Sequence, residues 1–254
     1  MLKTILITGL DGCGKSTLFS KLKERKPAHV ALINLPHIDE HSLPATSVLK
    51  TKAQLLNQMS READEANWSD LKALALLGAM LLYGQLVQEI ATPLTRVLIV
   101  ERHPLIDPLI YAKFYGERIS SGLERLDYYN ATYSDLLAFI VSLLPIESKG
   151  NYAGEIFHFI GAAFKNGTLS EIFKAALPDK IFFLKADPAL LLSRISARKV
   201  AEPHEQLPVL TLLDKTYDSL FAGIPERVEY IDASHFEQLD KFYDTLMEDI
   251  SKNN

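Results

Sequence analysis

Cysteine is almost missing from this sequence, since Cys13 is the only thiol among its 254 residues. A single thiol cannot close an intrachain disulfide, and small secreted proteins commonly depend on such bonds. The first residues lead into an apolar strand pattern and lack the basic, apolar and small-residue sections of a signal peptide. We therefore expect a protein of the reducing cytoplasm.

Basic residues are also fewer than acidic ones. The 27 lysines and arginines are outnumbered by 32 aspartates and glutamates, which gives a net charge of −5 at pH 7. Proteins that bind the backbone of a nucleic acid usually carry a clustered basic surface. We therefore expect no nucleic-acid polymer as a partner, whereas a small phosphorylated ligand needs only local positive charge.

We also expect no hydrophobic run long enough to cross a membrane. The most apolar segment, Ala73–Val87, is shorter than the roughly 20 residues that a transmembrane helix requires. Because Gly78, Gly84 and Gln85 interrupt it, we interpret it as a buried core helix and expect no membrane partner. With 48% hydrophobic residues, the chain can bury the core of a single domain over residues 1–254.

Short apolar runs alternate along the chain with longer segments of helical periodicity. The runs expected to form strands are Thr4–Thr8, His29–Asn34, Arg96–Val100, Lys180–Lys185 and Arg227–Ile231. The segments expected to form helices are Lys15–Lys26, Pro44–Met59, Ala66–Thr92, Pro108–Glu117, Leu123–Ser142, Glu155–Ala176, Pro188–Lys199, Val209–Phe221 and His235–Lys252. This alternation predicts an α/β fold with a five-stranded parallel sheet flanked by helices. A long helical insertion, at about residues 107–178, separates the third and fourth strands and would serve as a lid or as an oligomerising subdomain of a homodimer.

The segment Gly9–Ser16 reads GLDGCGKS and stands between the first strand and the first helix. This is the G-x-x-x-x-G-K-[ST] spacing of a P-loop, in which backbone N–H groups and a helix N-terminus surround a phosphate. We expect a P-loop NTPase fold that binds ATP and Mg²⁺, with Lys15 on the β- and γ-phosphates and Ser16 on the metal ion. The predicted ATP-binding residues are Gly9, Asp11, Gly12, Cys13, Gly14, Lys15, Ser16 and Thr17.

Cys13 allows two interpretations within this loop. A helix N-terminus can lower the pKa of a thiol and make it easy to oxidise. Alternatively, the thiol is a small filler that faces away from the ligand. We prefer the second interpretation.

The third predicted strand ends in a second polar cluster, Glu101–Pro104, which reads ERHP. A carboxylate at this place in a P-loop sheet lies beside the P-loop strand, so Glu101 joins Ser16 as a candidate metal ligand. Arg102 offers a fork of donors for the acceptor or the transferred phosphoryl group. His103 is either a substrate contact or a packing residue before Pro104.

Arg194 and Arg198 stand four residues apart and therefore share a helix face. They would close over the phosphates as part of a lid at about residues 194–208, or else stay solvated. With Lys15, Glu101 and Arg102, they complete the set of candidate catalytic residues.

These segments together resemble the deoxynucleoside kinase and thymidylate kinase group of P-loop enzymes. Residues 9–17 look most like the thymidylate kinase loop, whereas Glu101–Pro104 looks more like the Glu-Arg-Ser motif of deoxynucleoside kinases and the Asp-Arg-His-Pro motif of viral thymidine kinases. Residues 194–220 are similar to the lid and following helix of deoxynucleoside kinases, and Ile231–Ser234 to their last-strand loop, near which the adenine lies. Gln85 would contact a base edge, as a glutamine does in that group, or would pair with backbone on a buried helix. The candidate substrate contacts are then Asp11, Gln85, Arg102 and His103.

The chain departs from both families at the acceptor. Deoxynucleoside kinases place a general-base glutamate before a proline after the second strand. Here Leu35 precedes Pro36, which leaves Asp39, Glu40 or Glu101 as substitutes. Thymidylate kinases use one arginine shortly after the corresponding proline and another on the helix before the third strand, and neither is present at those places.

We predict ATP-dependent phosphoryl transfer to a deoxynucleoside such as thymidine, with a thymidylate or other nucleoside monophosphate kinase as the alternative. A GTP-binding switch is less favoured, because Leu184–Asp187 has leucine where the Asn-Lys-x-Asp signature requires asparagine. An inactive nucleotide sensor that has lost its base is a further possibility, supported by Leu35.

Overall fold

A computed structural model describes residues 2–111, 124–173, 175–196 and 205–252 of the chain. Each of the predicted strands is present, and together they form one parallel sheet. The strands are β1 Lys3–Gly9, β2 Val30–Ile33, β3 Val97–Val100, β4 Lys180–Lys185 and β5 Val228–Asp232. The predicted α/β class with a five-stranded parallel sheet is therefore confirmed.

The order of the strands across the sheet is β2-β3-β1-β4-β5. In the central strand β1, Leu6 pairs with Val100 of β3, and Gly9 pairs with Leu184 of β4. Because neighbouring strands are parallel, the carboxyl ends of β1, β3 and β4 lie along one edge of the sheet. Open α/β sheets bind their ligands at this edge. The segments that follow β1 and β3 therefore begin at adjacent positions.

Helices connect the strands. They are α1 Lys15–Arg25, α2 Leu49–Ala66, α3 Ser69–Ile90, α4 Leu126–Thr132, α5 Ser134–Leu143, α6 Tyr152–Lys165, α7 Pro188–Ile195, α8 Leu207–Phe221 and α9 Phe236–Lys252. Residues 107–111 are also helical. Local sequence explains the start of α7, because the Asp187 carboxylate accepts the N–H of Ala189 at 2.7 Å and proline occupies the first turn.

The predicted bounds of the second helix, Pro44–Met59, are wrong at both ends. The helix starts only at Leu49. The hydroxyl of Ser47 accepts the N–H of Leu49 at 3.0 Å and so satisfies one of the first amide groups of the helix. It continues to Ala66, because the sequence beyond Met59 holds no glycine or proline to stop it.

Two helices of the insertion also differ from the prediction. The segment Leu123–Ser142 contains two helices that meet at Tyr133. In the segment Glu155–Ala176 the α-helix ends at Lys165, because Gly167 adopts a left-handed φ of 69°, and a short 3₁₀ helix follows at Leu169–Ile172. Apolar periodicity continues through both breaks, and for this reason it predicts a single helix in each segment.

The chain forms two compact units. The sheet unit consists of Met1–Asn34, Ile90–Arg102 and Leu177–Asn254, and the helical unit of Leu35–Glu89 and His103–Ala176. The predicted insertion, residues 107–178, belongs to the helical unit except for its last two residues, and it shares that unit with α2 and α3. The assignment of residues 1–254 to one domain stays a prediction.

Helix α3 supplies much of the core of the helical unit. A Cβ on Gly78 would come within 2.7 Å of Leu56 on α2 and 2.9 Å of Ile140 on α5, so these helices pack directly against α3. By length and composition α3 is the one helix of the described residues that could cross a membrane, and 56% of its most apolar stretch is buried. Such burial is typical of a core helix and agrees with the interpretation of Ala73–Val87.

A buried carboxylate joins the start of α3 to α4. Asp70 is 1% exposed, and it accepts the hydroxyl of Tyr129 at 2.5 Å and a guanidinium N–H of Arg125 at 3.3 Å. The Arg125 guanidinium also lies 4.9 Å from the ring centroid of Trp68. Burial and the neighbouring carboxylate raise the pKa of Tyr129 well above its ordinary value, so the hydroxyl stays protonated and remains a donor. Donors of this kind are required because a buried carboxylate without partners is costly.

Replacing Tyr129 by phenylalanine would remove one of these donors. We expect Tyr129→Phe to lower the free energy of unfolding in urea by about 2 kcal/mol, because Asp70 stays buried with fewer partners. The control is Tyr128→Phe, which removes an exposed hydroxyl that donates to Glu62 at 2.6 Å. Its effect should stay within about 0.5 kcal/mol. Equal losses in the two variants would contradict the importance of the buried carboxylate.

Candidate functional site

The loop after β1 is shaped by glycines at positions where a side chain does not fit. Gly12 and Gly14 have φ angles of 82° and 98°, in the left-handed region that favours glycine. A Cβ on Gly9 would come within 2.5 Å of the Leu184 carbonyl oxygen and 2.8 Å of the Cys13 sulfur. The loop therefore leads from β1 directly into α1, as a phosphate-binding loop requires.

Lys15, the first residue of α1, is turned back over this loop. Its side chain is only 5% exposed, and its ammonium donates to the carbonyl oxygens of Gly9 at 2.8 Å and Leu10 at 2.9 Å. Hydrogen bonds between two charged groups are stronger than bonds to a neutral carbonyl. A phosphate can therefore replace these carbonyls as the acceptor for Lys15.

Asp11 is shared by two cationic side chains. Its Oδ1 lies 3.5 Å from the Lys15 ammonium and 3.4 Å from a guanidinium nitrogen of Arg102. The three side chains are 14%, 5% and 12% exposed, so solvent screens these charges only in part. The structure thus brings together three predicted site residues from the loop after β1 and the segment after β3. Two preorganised cations beside a P-loop are suited to a polyphosphate.

Glu101 follows β3 directly and is 6% exposed. Its backbone N–H donates to the carbonyl of Ile33 at 3.0 Å, which extends the pairing of β3 with β2 by one residue. The carboxylate also contributes to raising the pKa of Cys13, so its charge acts on the P-loop.

Cys13 is completely buried within the loop. Burial raises the pKa of its thiol, and this effect exceeds the opposing influence of Lys15. A buried, protonated thiol is unreactive. These properties agree with the interpretation of Cys13 as a filler.

The predicted metal ligands fit Mg²⁺ by their chemistry. Ser16 and Thr17 are exposed on the first turn of α1, and Glu101 supplies a carboxylate. Mg²⁺ prefers oxygen ligands and is usually held by one or two protein groups together with water and substrate phosphates. It does not need a cage of protein ligands, and within the described ranges no group of three or more His, Cys, Asp or Glu side chains could hold a metal. Ser16 and Glu101 are thus suitable ligands for an ion bound together with phosphates.

Arg194, in the last turn of α7, contacts backbone carbonyls of the sheet unit. Its guanidinium donates to Ser234 at 2.7 Å, to Ala233 at 2.8 Å and to Gly12 of the P-loop at 3.4 Å. The predicted second arginine, Arg198, lies outside the described residues, as does the central part of the predicted lid. The action of these two arginines on the phosphates stays a prediction.

His103 is fully buried in the helical unit. Its Nδ1 accepts the N–H of Leu105 at 3.2 Å, and its ring meets that of Tyr83 edge-on at 5.1 Å between centroids. Burial lowers the pKa of the imidazole to about 4, so the ring is neutral at pH 7. Of the two interpretations of His103, this conformation corresponds to packing, because the ring is not accessible to a ligand.

Gln85 lines a cavity of about 280 Å³ in the helical unit. The walls are mixed, with apolar residues such as Met80 and Phe173 and with polar groups from Gln88 and Ser142. Gln85 therefore borders a cavity whose volume is close to that of the smallest small-molecule sites, about 300 Å³.

One predicted substitute for the missing base, Asp39, has a structural contact of its own. Leu35 is completely buried, and no carboxylate takes its place before Pro36. The Asp39 carboxylate accepts the N–H of His41 at 3.1 Å and caps the short 3₁₀ helix Glu40–Ser42. The Asp39 carboxylate is thus engaged in a structural contact.

No protein-family model matches this chain, and no curated protein sequence matches it either. Among solved structures, the thymidylate kinase from Candida albicans is similar to it, with a TM-score of 0.50 and 19% sequence identity. The match covers 99% of this chain and 92% of the other. The chain has a P-loop kinase fold. This finding confirms, at the level of fold, the predicted resemblance to the thymidylate and deoxynucleoside kinase group.

The polar contacts of two side chains in this P-loop kinase fold, Asp107 and Arg194, were not predicted from the sequence. The carboxylate of Asp107 is 2% exposed and accepts the N–H of His103 at 2.6 Å, which fixes the turn before the helical residues 107–111. The signal available was an acidic residue at a helix start. The bonds of Arg194 to Ala233 and Ser234 have no comparable signal, because their acceptors are backbone carbonyls.

The buried imidazole should make the stability of the protein depend on pH. The pKa of His103 is about 4 in the folded chain and about 6.5 in an unfolded one. The unfolded state therefore takes up its proton first, so stability that is fully present above about pH 6.5 is lost as the pH falls to about 4. From pH 7.5 to pH 4 this loss amounts to about 2 to 3 kcal/mol.

Denaturant unfolding across this pH range tests the prediction. The variant His103→Asn keeps an acceptor for the N–H of Leu105 but does not titrate. The parent should lose more unfolding free energy toward acid pH than the variant does, whatever their difference at pH 7.5. The same pH dependence in both proteins would show that His103 is not the titrating group.

Proposed function

We propose that this protein transfers the γ-phosphoryl group of ATP to a nucleoside monophosphate, with thymidylate as the first candidate acceptor. The observation that carries the proposal is the convergence of Lys15 and Arg102 on Asp11 at the end of β1, at 3.5 and 3.4 Å. Lys15 belongs to the P-loop, which suits a nucleoside triphosphate. Arg102 lies in the segment after β3 and supplies a second cation that the P-loop motif does not contain.

A phosphorylated acceptor is preferred because few carboxylates are available to act as a general base. A nucleoside hydroxyl must lose a proton in order to attack, whereas a phosphate is already ionised near neutral pH. The buried Leu35 occupies the place of the expected base, and Asp39 caps a 3₁₀ helix. An acceptor that needs little proton abstraction is therefore the better fit. The similar fold of a thymidylate kinase described as having broad substrate specificity supports the same choice.

A deoxynucleoside, the acceptor that the sequence motifs favour, is the second candidate. The observation that supports it is the Glu101 carboxylate, which stands next to Arg102 and is 6% exposed. With this acceptor, Glu101 would act as the general base, because Leu35 stands where the deoxynucleoside kinases have a glutamate.

In either case catalysis would consist mainly of positioning and of compensating charge. Lys15 would leave its carbonyl acceptors for the β- and γ-phosphates, and Arg102 would hold the transferred group or the phosphate of the acceptor. Mg²⁺ bound to the phosphates would neutralise part of their charge, with Ser16 as a protein ligand and, for a phosphorylated acceptor, Glu101 as a second one. Gln85 stays a candidate contact for the nucleobase of the acceptor.

A GTP-binding switch and an inactive nucleotide sensor have less support. Lys185, which corresponds to the lysine of a guanine-binding signature, bonds both oxygens of Asp218 at 2.6 Å, and Asp187 caps α7. Their side chains thus serve local structure. An inactive sensor would keep the P-loop and bind ATP without turnover.

A cytoplasmic location, expected from the lone cysteine, would provide both ATP and Mg²⁺.

Lys15→Ala should abolish most of the activity. Removal of a cation that binds the transferring group should lower the rate of ATP-dependent transfer by about 100-fold or more. The matched control is Lys21→Ala on the same helix, where the exposed ammonium pairs with Asp240 on the surface. This control should keep the parent rate. Transfer by Lys15→Ala at the parent rate would overturn the proposal.

A panel of nucleosides and their monophosphates should identify the acceptor. We expect ATP consumption with a monophosphate, thymidylate first, and a nucleoside diphosphate as the product by mass spectrometry. Activity on nucleosides alone would instead establish the second candidate. Tight ATP binding with no turnover on any acceptor would identify a sensor.

A further inference from the structure

A second cavity of the helical unit lies beside the end of α6, and none of the predicted site residues line it. Its volume is about 310 Å³, at the lower end of the range for small-molecule sites. The wall comes from α6, from the 3₁₀ helix Leu169–Ile172 and from Pro145, which follows α5. We call this space the α6 cavity. It has room for a small ligand, and the proposed phosphoryl transfer gives it no task.

The local sequence explains why a space remains at this place. The backbone N–H and the hydroxyl of Thr168 both donate to the carbonyl oxygen of Ala163, at 2.9 and 3.5 Å. Together with the left-handed Gly167, these bonds end α6 and lead the chain into the 3₁₀ helix, which packs on α6. The lining residues on this turn of α6 are Ala162 and Ala163, whose small side chains do not fill the gap. The cavity is therefore formed before any ligand binds.

The wall of the α6 cavity combines apolar surface with one carboxylate. Apolar side chains such as Phe159 and Pro145 supply most of the lining surface. Glu171 is the only charged side chain among the lining residues that the structure describes, and Asn166 adds an amide. An apolar ring can stack on the aromatic wall, and a carboxylate attracts a cation and repels an anion. The ligand that matches this wall is a small amine that carries an apolar ring.

The α6 cavity and the cavity at Gln85 share part of their walls. Ile172 lines both cavities, whereas the next residue, Phe173, lines only the cavity at Gln85. An acceptor that displaces Ile172 to widen the cavity at Gln85 therefore moves it toward the α6 cavity. Close-packed interiors transmit such a displacement. A ligand in the α6 cavity would resist it and so oppose binding of the acceptor.

We propose that the α6 cavity is a regulatory site for a small organic amine with an apolar ring, and that this ligand weakens binding of the acceptor in the cavity at Gln85. The site and its class of ligand follow from the lining residues alone. The effect on the acceptor rests on the proposed function, in which Gln85 contacts the nucleobase. Because coupling between two sites is reciprocal, the acceptor weakens binding of the amine by the same factor.

The first experiment titrates the protein with 2-phenylethylamine in the absence of nucleotides, followed by NMR. The matched probe is 3-phenylpropanoate, which has the same ring and the same chain but a negative charge. We expect the amine to bind with a dissociation constant on the order of 1 mM, at least about fivefold more tightly than the acid.

Two variants connect this preference to one carboxylate. Glu171→Gln should reduce the preference for the amine to less than about twofold. The control is Glu65→Gln, which removes an exposed carboxylate from α2 and should keep the preference of the parent. Equal binding of the two probes by the parent, or an undiminished preference in Glu171→Gln, would overturn the proposed site.

A variant that fills the cavity tests the location of the site. Ala162→Phe places a ring beside the α6 cavity at an exposed position, so the fold should be kept and binding of the amine lost. The control is Gly161→Ala, because a Cβ there has no neighbour from elsewhere in the described chain within 4 Å. Binding of the amine to Ala162→Phe with the affinity of the parent would contradict the assignment to this cavity.

The second experiment measures the dissociation constant of thymidylate with and without saturating 2-phenylethylamine. We expect the amine to weaken thymidylate binding about three- to tenfold in the parent, and to have no effect in Ala162→Phe. An unchanged or tighter affinity in the parent would overturn the regulatory role. Equal weakening in Ala162→Phe would overturn it too, because the amine would then compete directly in the cavity at Gln85. Failure of the parent to bind thymidylate would overturn the proposed acceptor and the regulatory effect with it, whereas the titration without nucleotides decides the amine site separately.

Discussion

The candidate site depends on how closely β1 can approach β4 at Gly9. A Cβ atom on Gly9 would lie only 2.5 Å from the carbonyl oxygen of Leu184. Backbone in the middle of a sheet cannot move aside as the end of a flexible side chain can. The absence of a Cβ therefore lets the chain leave the sheet at this point and curve into the P-loop. The curve continues through Gly12, packed on the backbone of α7, and Gly14, packed on Leu239 of α9.

This curvature determines the electrostatics of the loop. Lys15 begins α1 at a fixed position and finds its acceptors in the loop carbonyls, while Asp11 receives both Lys15 and Arg102. The cations are thus already held beside the phosphate site before any ligand binds. A phosphate would exchange one set of acceptors for another and would not need to order two long side chains from solution. Preorganisation of this kind is what makes charged groups effective in catalysis.

The features that could be predicted from the sequence are those with local causes. The P-loop has a fixed spacing, and buried strands have continuous apolar runs, so the sheet was predicted correctly and Lys15 lies at the start of α1, where the motif places it. The break at Tyr133 and the network around Asp70 depend on partners far along the chain, and periodicity does not reveal such partners. His103 shows the same limit, because its sequence position suggested either role and only burial decides that the ring packs here. For Arg194, spacing indicated a helix face but not the carbonyls that it meets.

The chemistry of Glu101 links the choice of acceptor to the metal ion. Among carboxylates that follow strands of the described sheet unit, Asp187 caps α7, Asp232 accepts a backbone N–H at 2.8 Å, and Asp11 pairs with two cations. The hydrogen bond from the backbone of Ser234 lowers the pKa of Asp232 and makes this carboxylate a weaker base. A metal ion at Glu101 would have the same effect on its carboxylate, and Glu101 would then serve poorly as a general base. A hydroxyl acceptor needs such a base, and a phosphate acceptor does not. The assignment of Glu101 to Mg²⁺ and the assignment of a phosphorylated acceptor therefore support each other, whereas a nucleoside acceptor would require Glu101 to stay off the metal.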